Sequence, residues 1–158
     1  MSALEEGARH ALLEGRHGEP HQVLGAHAHD VAGRSGVVIR VFQPEAADAY
    51  VVRDGIATAM REEGDGFFSV FFAGLKLPFR YSYRFIAHDG HAWERGDPYR
   101  HESTVGEMDL YLFNEGTHRR LWSMLGAHLR TVEGDEGATF TLWAPNAERV
   151  SVVEEHTP

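Results

Sequence analysis

Two aspartates, four histidines and two large aromatic residues are the side chains of this chain best suited to chemistry. Asp97 and Asp109 could in principle form the carboxylate pair of general acid–base catalysis, one protonated and one ionised. Asp97 stands directly before Pro98, however, a pairing that starts turns, and nothing in the sequence joins it to Asp109. His17, His21, His27 and His29 are the candidates for a metal site, and His27-Ala28-His29 would set two imidazoles on one face of an extended segment. No second pair with ligand spacing accompanies them, so a turn-stabilising role for His27 is the stronger reading. No metal ligand and no catalytic residue is therefore assigned. Trp93 and Tyr50 offer aromatic faces of the kind that stack on the apolar face of a sugar ring. The alternative for both is packing inside a sheet structure or over its edge.

These residues must be positioned by β-structure. Val37 to Phe42 is β-rich and stops at Gln43-Pro44; Ala49 to Val52 follows and turns at Asp54-Gly55. Phe67 to Phe72 comes after the turn-like Gly64-Asp65-Gly66, with Glu62, Glu63 and Asp65 read as a solvated loop. Phe79 to Phe85 alternates aromatic and polar residues, which puts Tyr81, Tyr83 and Phe85 in a core and Arg80, Ser82 and Arg84 on the opposite face. His88-Asp89-Gly90 closes a hairpin into His91-Ala92-Trp93-Glu94. Asp97-Pro98-Tyr99-Arg100 then ends the sheet region. Ser2-Ala3-Leu4-Glu5 has the form of a capping box for a short helix over residues 3–14, ended by Gly15, and Thr117 is expected to cap another running to Met124. Short strands and turns at this spacing predict an antiparallel sandwich rather than βαβ units.

The totals exclude several classes. The chain has 158 residues, 42% of them hydrophobic, enough for a real core. Its formal net charge is −9, and Lys76 is its only lysine, so a nucleic-acid backbone would be repelled while a neutral partner such as a sugar would not. The 11 histidines would reduce that charge as pH falls. No cysteine is present, so disulfides and thiolate metal sites are excluded. No secretion signal is visible, and no apolar run approaches the roughly 20 residues that cross a membrane. The expectation is a soluble, cytoplasmic chain without a membrane or nucleic-acid partner.

A shift of 101 residues aligns two parts of the chain without a gap, with 11 identities over the 31 positions from Gln22 to Val52. Leu24-Gly25-Ala26-His27 meets Leu125-Gly126-Ala127-His128, and Pro44, Ala46, Val51 and Val52 meet Pro145, Ala147, Val152 and Val153. The repeat predicts two modules that begin alike.

The segments His21 to His27, Ile39 to Pro44, Tyr83-Arg84-Phe85, Asp97 to Arg100, Asp109 to His118, Leu125 to His128 and Phe140 to Ala147 together resemble bacterial glycogen branching enzymes of the longer type. The resemblance covers residues 19–153. It implies two tandem β-sandwich modules ahead of an α-amylase-type barrel, and a parent transferase that cuts α-1,4-glucan chains and rejoins them through α-1,6 bonds. That chemistry needs a carboxylate nucleophile and an acid/base on the barrel, and none of the family's barrel motifs occurs here, so no catalytic residue is carried over. The module itself is then a non-enzymatic part supporting glucan contact through Trp93 and Tyr50, chain-length choice and packing against other domains of the parent, with no cofactor. A scaffold without sugar contact is the rival reading. After Val152-Val153 the family continues with a Gly-Asp-Phe-Asn-type turn, whereas residues 154–158 read Glu-Glu-His-Thr-Pro. The expectation is an all-β, immunoglobulin-like antiparallel sandwich with short flanking helices. Its parts are a helical segment at 1–18, a first module at 19–105, a connecting segment at 106–128 and the truncated start of a second, carbohydrate-binding-like module at 129–158.

Overall fold

The computed structural model of the chain describes residues 6–101, 103–132 and 134–153. They divide into two compact units, Met1–Glu102 and Ser103–Pro158. The first is a two-sheet antiparallel sandwich preceded by a short helix; the second holds short helices and a hairpin.

Helix α1 (Glu6–Leu13) ends before Gly15, whose φ of +66° is a left-handed stop that glycine adopts without strain. The expected capping box at Ser2 lies outside the described residues. A single 3-10 turn (Pro20–Gln22) leads into β1 (Gly25–Val31) and β2 (Arg34–Phe42), joined at Ala32-Gly33. Strand β1 was not legible as a strand, because its alanines and histidines carry no β-branched signature. The chain then crosses to the second sheet at Gln43-Pro44. This crossing is tight: the Gln43 amide donates to the Gly66 carbonyl at 2.8 Å, and a Cβ on Gly66 would lie 2.4 Å from Pro44 Cα.

Strands β3 (Ala46–Arg53) and β4 (Ile56–Ala59) form a hairpin at Asp54-Gly55, both at positive φ as a two-residue turn requires. The chain returns to the first sheet as β5 (Arg61–Gly64) and β6 (Phe67–Ala73), turning at Asp65-Gly66. Glu62 and Glu63 are thus in a strand, not in the solvated loop read from their charge. Strand β5 is an edge, where charged side chains guard against further pairing and hide the strand signal. Strands β7 (Ser82–Ala87) and β8 (Ala92–Gly96) complete the second sheet. The sheet orders are β1-β2-β6-β5 and β4-β3-β7-β8.

The core lies between the sheets. Val37, Ile39 and Val41 from β2, Ala49 and Val51 from β3, Phe68 from β6, and Tyr83 and Phe85 from β7 are buried there with Ala46, Met60 and Tyr81. Each fully buried large apolar side chain contributes roughly 1.5–3 kcal/mol. The alternation over Tyr81, Tyr83 and Phe85 marks the core as expected.

The second unit contains α2 (Glu107–Asn114), the one-turn α3 (Leu121–Met124), and the hairpin β9 (Gly126–Val132) with β10 (Asp135–Thr141). Thr117 does not cap α3 as expected from sequence. Its Oγ1 donates to the Leu112 carbonyl at 3.5 Å, closing α2 instead, and the N-cap of α3 is Arg120. The repeat is reproduced in backbone pairing: Gly25 pairs Arg40 in the first hairpin, and Gly126 pairs Thr141 in the second, both partners displaced by 101.

Candidate functional site

The two faces of a strand are set by alternation, so pairing register decides which candidates meet. On the β4-β3-β7-β8 sheet, Ala49 pairs Phe85 and Phe85 pairs Trp93, a row on the core side. The Trp93 ring sits 5.4 Å from Phe85 and stacks at 6.0 Å on His91. One residue along, Tyr50 pairs Ala59 on one side and Arg84 on the other, and Arg84 pairs Glu94. This second row faces outward. Tyr50 and Trp93 therefore lie on opposite faces of one sheet and do not share a surface.

The outward row carries a fixed polar pair. Arg84 donates to Glu94 Oε1 from Nε at 2.7 Å and from its terminal nitrogen at 2.6 Å. In the flanking rows, half-buried Val52 and Ser82 stand between exposed Ala57 and Gly96, and half-buried Ile86 stands between Asp48 and exposed Ala92. Tyr50 is half-buried, and no outward residue of this face is buried. Tyr50, Val52 and Ile86 are its half-buried apolar side chains.

The outward face of the other sheet is different. Arg9 of α1 lies 5.3 Å from the Phe67 ring centroid, donates to the Glu63 carbonyl at 2.9 Å and pairs with Asp65 at 2.8 Å. Val38, Phe67 and Ser69 on that face are buried. Helix α1 is clipped onto that sheet through Arg9.

Asp97 is the most constrained candidate. It is 6% exposed, and its Oδ2 accepts the Tyr81 hydroxyl and, at 2.9 Å, the Tyr83 hydroxyl, while its Oδ1 accepts the Tyr99 amide at 2.8 Å. Burial, then the Asp97 charge, pushes both tyrosine hydroxyls far above their ordinary ionisation range. Gly25 makes room for this knot: at φ +89°, a Cβ there would stand 3.0 Å from Tyr99 Cβ and 3.4 Å from Asp97 Oδ2. The turn expected from Asp97-Pro98 is present. What sequence reading missed is the pair of buried hydroxyls, though Tyr81 and Tyr83 on a core face, in need of polar partners, carried that signal.

Asp109 belongs to the second unit. Its Oδ1 accepts His118 Nε2 at 2.9 Å and its Oδ2 the Gly106 amide at 3.4 Å. The His118 hydrogen bond holds its carboxyl below the ordinary range. The two aspartates thus serve separate local networks, neither with the geometry of a catalytic pair.

Among the histidines, His27 Nε2 contacts the Leu24 carbonyl at 2.9 Å, and His128 makes the same 2.9 Å contact to Leu125. His27 stabilises its turn, as read from the repeat. His21 packs edge-on against Tyr99 at 5.1 Å. Among the described residues no group of three or more His, Cys, Asp or Glu side chains is placed to hold a metal ion, and no helix is long and apolar enough to cross a membrane.

Comparison with known proteins places this architecture. The family model described as alpha-1,4-glucan branching enzyme GlgB, N-terminal domain, matches residues 5–99. The 1,4-alpha-glucan branching enzyme GlgB of Paramagnetospirillum magneticum is 45% identical over 144 residues, covering 90% of this chain and 18% of that protein. Its counterpart in Roseobacter denitrificans is 46% identical over 148 residues, covering 91% and 20%. GlgB 2 of Streptomyces coelicolor is 41% identical over 156 residues, covering 98% and 20%. The chain spans about a fifth of the length of these curated relatives. With a sandwich in the first unit and a family model matching more than half of its residues, this chain belongs to the family of alpha-1,4-glucan branching enzyme GlgB N-terminal domains.

Proposed function

We propose that the chain is a non-catalytic module of a 1,4-alpha-glucan branching enzyme, serving glucan contact, chain-length choice and packing against the other domains of a longer cytoplasmic enzyme of glycogen biosynthesis. The observation that carries this reading is the 41–46% identity to branching enzymes along nearly the whole chain. The parent reaction is glycosyl transfer through a carboxylate nucleophile and acid/base on a barrel. The described residues here form a sandwich, short helices and a hairpin, and their carboxylates Asp97 and Asp109 are engaged in local hydrogen bonds.

The organisation read from the sequence is part of the proposal. A helical segment at 1–18 precedes an immunoglobulin-like module at 19–105, a connector at 106–128, and the start of a second, carbohydrate-binding-like module at 129–158. Support for the incomplete second module comes from the hairpin that repeats the first in register while leaving Phe140 and Leu142 exposed.

Two assays test the reading. The purified chain should show no branching of amylose in an iodine-stain assay and weak retardation in a native gel containing glycogen. Measurable branching would refute the non-catalytic reading. Mobility that is the same with and without glycogen would favour the scaffold module that touches no sugar.

A further inference from the structure

We infer that the β5–β6 turn is a preformed receptor for a guanidinium group, and that α1 is a strap that occupies it through Arg9 and lifts off as a unit. The inference is independent of glucan contact and concerns the first unit alone.

The receptor is built from backbone irregularity. The β5–β6 register shifts between Glu62 and Gly64, which takes Glu63 out of regular pairing. The Glu63 carbonyl accepts from Arg9 Nη1 at 2.9 Å, and its carboxylate accepts from Ser69 Oγ. Gly64, Asp65 and Gly66 then follow at φ of +91°, +52° and +78°, three left-handed residues in a row. Asp65 Oδ2 accepts from Arg9 Nε at 3.1 Å and from Nη2 at 2.8 Å. The Phe67 ring lies 5.3 Å from the guanidinium carbon. Every guanidinium nitrogen therefore has an acceptor. Gly64 leaves the space, since a Cβ there would stand 2.9 Å from Nη2. A lysine ammonium lacks the planar fork that fits these acceptors together.

Receptor and strap differ in what holds them. Gly66 is packed against Pro44, and its carbonyl accepts the Gln43 amide at 2.8 Å. Phe67 is buried, with its ring 4.7 Å from Phe42. These contacts belong to the sandwich and do not involve α1. Helix α1, by contrast, has eight residues, none of them buried. Among the described residues, its hydrogen bonds to the sandwich all come from Arg9. A helix shorter than about 12–15 residues is marginal by itself in water, so α1 depends on its tether. Gly15 and Gly18 follow in open space, where the chain can pivot. Asp65 is 61% exposed, so salt screens the tether.

The test uses the whole chain, with amide exchange read by NMR. Arg9→Ala should speed exchange over residues 10–16 by about threefold to thirtyfold, while residues 61–73 keep their protection. Arg9→Lys should fall nearer to Arg9→Ala than to wild type. Raising salt from about 0.05 M to about 1 M should speed exchange at 10–16 in wild type and leave Arg9→Ala unchanged. In Arg9→Ala, methylguanidinium should shift the amides of residues 63–67, and methylammonium at the same concentration should not. Unchanged exchange at 10–16 in Arg9→Ala would overturn the strap. Lost protection at 61–73 would overturn the preformed receptor, as would equal shifts, or none, from the two cations.

Discussion

The hairpins β1–β2 and β9–β10 begin from nearly the same instruction and reach different ends. Both open on Leu-Gly-Ala-His, both fix that turn by a histidine contact to the preceding leucine carbonyl, and both pair in the same register. Yet Ile39 is fully buried, while Phe140, its repeat partner, is 57% exposed. Val41 is 2% exposed and its partner Leu142 67%. The first hairpin joins β6 and β5 in one wall of a sandwich whose other wall is β4-β3-β7-β8; the second is a two-stranded sheet. A hairpin's register is therefore a local property, set by its turn and alternation, whereas its stability comes from the opposing sheet.

The comparison can be broken most directly at its apolar partners. Ile39→Ala should destabilise the first unit by about 2–5 kcal/mol in urea unfolding, through lost transfer energy and a cavity. Phe140→Ala, at an exposed position, should change stability by no more than about 0.5 kcal/mol. Equal losses at the two positions would mean that the second hairpin is already packed as the first is.

The Asp97 knot offers a second difference, since it belongs to the first unit only. Asp97→Ala leaves the Tyr81 and Tyr83 hydroxyls buried without their acceptor and should cost about 2–3 kcal/mol, read from the same urea curves. A loss below about 0.5 kcal/mol would show that the hydroxyls find other partners. A smaller effect is expected at the histidine latches: His27→Ala and His128→Ala each remove one hydrogen bond, for about 0.5–1.5 kcal/mol. Local hydrogen exchange at residues 24–28 and 125–129 would show whether the two latches are equivalent.

The pH dependence sharpens the contrast further. Tyr81 and Tyr83 have folded-state ionisation raised above the ordinary value of 10.0, so the unfolded chain loses those protons first. Their contribution to stability is complete below that value and falls as pH rises above it, which a urea series in alkaline buffers would follow. Asp109 runs the opposite way. Its ionisation is lowered, so its contribution is present above the ordinary carboxylate value of 3.8 and is lost as pH falls through the folded one. Replacing His118 by Gln should move the Asp109 carboxyl titration upward, seen by carbon NMR. An unmoved titration would assign the shift to the Gly106 amide.

The sequence made the strands with β-branched and aromatic runs legible: β2, β3, β6 and β7 all announce themselves through residues such as Val37, Val51, Phe68 and Tyr83. It failed at β1 and β5. Alanine and histidine in β1, and Arg61-Glu62-Glu63 in β5, are edge-strand compositions in which backbone pairing, not side-chain preference, makes the strand. The candidate site was half visible. Alternation placed Arg84 opposite to Tyr83 and Phe85, and Tyr50 and Trp93 were singled out as aromatic faces. That they fall on opposite sides of one sheet depends on the β3–β7 and β7–β8 registers, which alternation within one strand does not fix.

What the sequence determined by itself is local: turns at Asp54-Gly55 and Asp65-Gly66, the repeated Leu-Gly-Ala-His starts, and alternation that separates core from surface within each strand. Turn geometry and alternation need only neighbouring residues, so they can be read without a partner. The tertiary structure alone decided which of the two similar hairpins is buried, which aromatic faces outward, and that Asp97 ties two tyrosine hydroxyls to the end of the sheet. Each of those depends on groups far apart in the chain meeting across a register or between sheets, where burial and hydrogen-bond satisfaction set the outcome.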